Sequence, residues 1–147
     1  MSNTNSRKRL TWEQTAINLA HKIADYRSED PYCQVGACII KHDNTIVLGY
    51  NGAPSKMEMD WSDRDSRRKW VFHAESNVLN RVLPGETRLL AVTHLPCDQC
   101  LKIIKQKEIN TVYYSISIPH YTPEQVCEMA KLFGIELIQI SFNESTL

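Results

Sequence analysis

Apolar and polar positions change their period several times along the chain, and each change marks an element. Thr11-Trp12-Glu13-Gln14 has the form of a capping box, a hydroxyl followed three residues later by a side-chain amide. Behind it Trp12, Ala16, Leu19, Ala20, Ile23 and Ala24 recur on one helical face, which predicts a helix to about Tyr26. Arg27–Gln34 contains Asp30-Pro31 and reads as a loop. Val35–Ile40 is β-branched and nearly all apolar; with Thr45–Gly49 it predicts a hairpin turning at Lys41-His42-Asp43-Asn44. A long polar loop follows, from Tyr50 to about Lys69. The pattern then predicts a helix over Trp70–Val82, a strand over Leu89–Thr93 and a helix over Asp98–Glu108. A strand over Thr111–Ile116, a helix over Pro123–Phe133 and a last strand over Ile135–Ile140 complete the chain.

This order, α-β-β-α-β-α-β-α-β, predicts an α/β fold with a partly parallel sheet and helices on both faces. The polar segment 1–10 is expected to be a flexible N-terminus, and 11–147 one domain. A length of 147 residues suits one domain and is enough to bury a substantial core without disulfides. With 42% apolar and 23% charged residues the chain reads as globular rather than disordered, and no apolar run is long enough for a transmembrane helix. Lys+Arg and Asp+Glu number 17 each, so no whole-domain basic field draws in a nucleic acid polymer. Five cysteines, an odd number, suit a reducing compartment, and the cytoplasm is the expected location.

The chemistry concentrates in two short motifs, His73-Ala74-Glu75 and Pro96-Cys97-Asp98-Gln99-Cys100. Cys97 and Cys100 are three apart, so both project from one face of a first helical turn. Helix N-terminal amides favour thiolates, and one imidazole with two thiolates makes a tetrahedral site suited to Zn²⁺. Three protein ligands leave the fourth position to water, which is the catalytic arrangement. Glu75, two residues from His73, is placed to carry a proton rather than to bind metal. A closed structural site would recruit His94, His120 or Cys127, and a redox pair would need only Cys97 and Cys100. The combined order of the motifs matches the zinc deaminase signature.

With these motifs the chain resembles the deoxycytidylate (dCMP) deaminases of the cytidine deaminase superfamily. The resemblance runs from about Arg27 to Ile138. It includes Arg27-Ser28-Glu29-Asp30-Pro31, Gln34-Val35-Gly36-Ala37-Cys38-Ile39-Ile40 and Gly49-Tyr50-Asn51-Gly52-Ala53-Pro54. It implies a three-layer α/β/α fold with a mixed five-stranded sheet, and hydrolysis of dCMP to dUMP and ammonia as a source of thymidylate precursor. It also implies a homohexamer, activation by dCTP and inhibition by dTTP with Mg²⁺. Asn51 is then expected at the deoxyribose, small Ala74 near the base, and Arg27 or Ser28 at the 5′-phosphate. Tyr50, Gly52 and Lys56 are expected to face a regulatory triphosphate. A pyrimidine-side tyrosine of the family has no direct counterpart, and Tyr121 stands at a shifted position. Met57–Trp70 contains neither Cys nor His, so one zinc per chain is expected. The run Arg64, Arg67, Arg68 and Lys69 reads as a solvated face or a regulatory contact. Rival readings are a deaminase of another cytosine nucleotide or of a polynucleotide, and a catalytically inactive nucleotide-binding zinc module.

Overall fold

The computed structural model describes residues 7–117 and 123–142. Helix α1 is Trp12–Arg27, opened by Thr11, whose hydroxyl accepts from the Gln14 amide. The hairpin is β1 (Gly36–Lys41) and β2 (Ile46–Tyr50). Helices α2 (Arg64–Trp70) and α3 (Ala74–Leu79) precede β3 (Thr87–His94). Then follow α4 (Asp98–Gln106), β4 (Thr111–Ile116), α5 (Pro123–Phe133) and β5 (Glu136–Gln139). The sheet order is β2-β1-β3-β4-β5. β1 is antiparallel to β2 and to β3, while β3, β4 and β5 run parallel through the helical crossovers. The sheet is mixed, as expected.

Alternation along the strands divides the core between two faces. Ala37 and Ile39 of β1 and Leu90 and Val92 of β3 pack with Ala74, Val78, Leu101 and Ile104 from α3 and α4. Cys38, Ile40, Leu89 and Ala91 point the other way and pack with Ala16, Ile17 and Ala20 of α1. This period-2 partition of nearly all-apolar strands is what builds helix, sheet and helix into three layers.

Two glycines set the spacing of the layers. A Cβ at Gly49 would lie 2.9 Å from the Val78 Cβ, so α3 rests directly on β2. A Cβ at Gly36 would collide with the Ala20 carbonyl oxygen on α1. Gly36→Ala is therefore expected to lower stability by about 1–3 kcal/mol, the usual cost of overpacking, read as a lower denaturant midpoint. An unchanged midpoint would mean that α1 and β1 do not approach so closely.

One expected element divides in two. The pattern predicts a single helix over Trp70–Val82, but the chain leaves α2 at Val71. Gly52 and Phe72 then form an antiparallel bridge, with N···O distances of 3.1 and 2.8 Å. β-branched Val71 and aromatic Phe72 favour extended backbone, and the bridge gives both Phe72 polar groups a partner. The segment before it, expected as loop, forms α2 because Asp63 caps it by accepting from the Asp65 amide. No residue of α2 is buried, so no apolar periodicity marks it in the sequence.

Candidate active site

The break before α3 sets the site's geometry. In a continuous helix, residues two apart point about 200° apart, at about 3.6 residues per turn. His73 and Glu75 would then face opposite sides. Instead His73 is the extended N-cap of α3 (φ −72°, ψ 151°), with Ala74 and Glu75 in its first turn. Across from it Cys97 is the N-cap of α4, and Cys100 lies in that helix's first turn, both buried. Neither side chain caps a backbone amide of its own helix, which leaves both for the site.

His73 Nδ1 lies 3.5 Å from Cys97 Sγ and 3.3 Å from Cys100 Sγ, and the two sulfurs are 3.4 Å apart. Zn–N and Zn–S bonds of about 2.0–2.1 and 2.3 Å put tetrahedral ligand atoms about 3.5–3.8 Å apart. The observed triangle needs only a small expansion to hold such an ion, so the donor set fits zinc in number, type and spacing. Among the described residues this is the one group of donors close enough to share a metal.

The electrostatics suit the same chemistry. The close contact with Cys100 pulls the Cys97 thiol well below its ordinary range. The same contact and burial push Cys100 up. The bond to Cys97 raises His73, and burial raises Glu75. Glu75 is 4% exposed, and its Oε1 has no hydrogen-bond partner among the described residues. A buried carboxylate oxygen without a partner is costly. It is accounted for if a water or substrate atom meets it there.

These groups line a cavity of about 230 Å³. Ala74, His73, Glu75 and Cys97 lie at one part of its wall, and Asn51, Val35 and Leu95 at others. This is smaller than the roughly 300–1,000 Å³ of pockets for drug-sized ligands, so it suits a compact substrate. The buried Asn51 side chain is already engaged. Its Oδ1 accepts from Ser28 Oγ at 2.5 Å and from the Val35 amide at 3.0 Å. Its Nδ2 donates to the Cys33 carbonyl at 2.8 Å, which leaves one N–H for a ligand.

Arg27 and Ser28 do not line this cavity. Ser28 stands behind Asn51, and the Arg27 guanidinium lies over the Tyr50 ring, 5.9 Å from its centroid. Tyr50, Gly52 and Lys56 line a second cavity of about 720 Å³. Tyr121 and His120 lie outside the described residues. His94 is not in the metal triangle: its Nδ1 is 2.7 Å from Thr93 Oγ1, and its Nε2 faces Cys33 Sγ at 4.0 Å. Burial pulls His94 down to about 4, so its ring is neutral. Cys127 is exposed and also separate. Cys33, His94, Arg67 and Arg68 are among the cavity residues that sequence reasoning did not assign to it. For the two arginines the available signal was their place five and six residues before His73.

Fold and site together define a zinc-type nucleotide deaminase architecture. Residues 10–116 match the family model for the cytidine and deoxycytidylate deaminase zinc-binding region, and the chain belongs to that family. It is similar to the deoxycytidylate deaminase of Mus musculus, at 31% identity over 160 residues covering 99% of this chain and 88% of that one. Similarity to the Homo sapiens deoxycytidylate deaminase is 33% over 138 residues, 84% and 77% of the two chains. The crystal structure of the cyanophage S-TIM5 dCMP deaminase with dCMP and dUMP matches with a TM-score of 0.73. That match has 25% identity and covers 90% of this chain and 100% of that one.

Proposed function

We propose that this protein hydrolyses dCMP to dUMP and ammonia, with one Zn²⁺ per chain held by His73, Cys97 and Cys100. The observation that carries the reading is the buried, unpartnered Glu75 oxygen in the same cavity as a three-donor triangle. Bound zinc supplies Lewis-acid activation of water as the nucleophile. Glu75 takes a proton from the attacking water and delivers it to N3 of the pyrimidine as the C4–O bond forms. It then carries the hydroxyl proton to the amine as the C4–N bond breaks. Burial favours the protonated carboxyl, which suits a group that must hold a proton between two transfers. Ala74 leaves room for the base, and the free N–H of Asn51 donates to a sugar hydroxyl.

The test is a substrate panel of dCMP, deoxycytidine, dCTP and a cytosine-bearing single strand, followed by loss of the exocyclic amine. dCMP is expected to lead by at least about tenfold, since a site built around a polar group rejects analogues that lack or alter it. Faster deamination of the single strand or of deoxycytidine would contradict the reading.

Regulation by dCTP and dTTP with Mg²⁺ belongs to the same reading. Asn51 stands between Tyr50 and Gly52, so one segment borders both cavities. A triphosphate against Lys56 would act by binding two arrangements of this segment with different affinity. With Mg²⁺ present, dCTP should lower and dTTP raise the dCMP concentration giving half-maximal rate. Lys56→Ala should shrink both shifts. Identical curves under all conditions would remove regulation from the account.

The reading extends to one domain from Thr11 onward, to a homohexamer and to a cytoplasmic location. Half-exposed Phe72, at the second cavity, and half-exposed Trp70 two residues before it support a subunit contact. All five cysteines are free, in keeping with a reducing compartment.

A further inference from the structure

We propose that Arg68, with Arg67 beside it, is the group that recognises the 5′-phosphate of the substrate. The inference rests on the deaminase reading and adds the residues that select a nucleotide over a nucleoside. Arg67 and Arg68 are the only Arg or Lys side chains lining the active-site cavity among the described residues. Arg27, the arginine expected there, turns instead to Tyr50 at the other cavity.

The two arginines differ in how they are held. Arg67 donates from Nη1 to the Trp61 carbonyl at 2.5 Å, and its guanidinium stacks over the Tyr32 ring, 4.3 Å from the centroid. It is half-buried and oriented before any ligand arrives. Arg68 is exposed, and among the described residues no hydrogen bond or ion pair engages its guanidinium. A planar fork of N–H donors matches a phosphate monoester in two-point contact, and an unengaged fork loses no internal bond on binding. Asp30 lines the same cavity, and its Oδ1 already accepts from the Tyr32 and Cys33 amides. Among the described residues its carboxylate forms no ion pair with either arginine. A cytosine directed at Glu75, with its sugar at Asn51, leaves its phosphate to the part of the cavity rim where α2 ends.

The experiment compares steady-state kinetics on dCMP for wild type, Arg68→Gln, Arg68→Lys and Arg67→Gln, each loaded with zinc and checked for metal content. Inorganic phosphate is added as a competing probe. Arg68→Gln should raise KM for dCMP at least tenfold, with a much smaller change in kcat. Arg68→Lys should recover part of the loss. Phosphate should inhibit wild type competitively and Arg68→Gln more weakly. A KM for dCMP within twofold of wild type in both Gln variants would overturn the proposal. So would equal losses in kcat and no change in phosphate inhibition, since that pattern means α2 only shapes the site. A wild-type protein that does not deaminate dCMP would instead overturn the deaminase reading itself.

Discussion

Glu75→Gln should keep its zinc and its fold while losing about 10²–10⁴ in kcat, the usual contribution of a positioned acid–base group. The amide has the carboxyl's shape, so packing in the first turn of α3 is preserved. It can donate and accept hydrogen bonds but cannot take a proton from water and pass it on. Because burial disfavours the charged carboxylate, replacing it with a neutral amide should not lower the melting temperature. The combination of full metal content, undiminished stability and a collapsed rate separates a proton carrier from a structural residue. A variant working within a few-fold of wild type would take Glu75 out of the mechanism.

His73→Ala, Cys97→Ala and Cys100→Ala should each weaken zinc binding by more than about 100-fold. Even partners one step removed from a metal are worth about 10–100-fold, and each of these supplies a vertex of the triangle. Activity should fall to background in step with metal content. The fold should persist, because both packed faces of the sheet are built from aliphatic side chains that do not need the ion. Chelation is expected to lower the melting temperature without abolishing cooperative unfolding, since a ligand bound only by the native state adds to its stability. His94→Ala and Cys127→Ser should retain zinc. Loss of zinc in either would reveal a fourth protein ligand and a closed, structural centre.

The parts of the molecule legible in the sequence were those with a local signature. Thr11 and the face behind it marked α1, and the runs at Val35–Ile40 and Leu89–Thr93 marked the central strands, observed over Gly36–Lys41 and Thr87–His94. His73-Ala74-Glu75 and Pro96-Cys97-Asp98-Gln99-Cys100 pointed to the metal triangle because they supply three soft donors and a neighbouring carboxylate in a recognisable order. What was not legible depends on pairing across the chain. The separation of α2 from α3 rests on a bridge between Gly52 and Phe72, which no local period reveals. Arg67 and Arg68 belong to a short polar helix with nothing buried, so they read as a solvated run. Ser28 stands in the expected loop, but Arg27 is the last residue of α1. Where each side chain points, Ser28 to Asn51 and Arg27 to Tyr50, is a tertiary outcome.

The most direct measurement is the stoichiometry and metal dependence of dCMP turnover. Protein containing one zinc per chain should convert dCMP to dUMP and ammonia in equal amounts. Stripping the metal should abolish the reaction, and zinc alone should restore it. Absence of dUMP from zinc-loaded protein, or turnover that survives complete removal of the metal, would contradict the account.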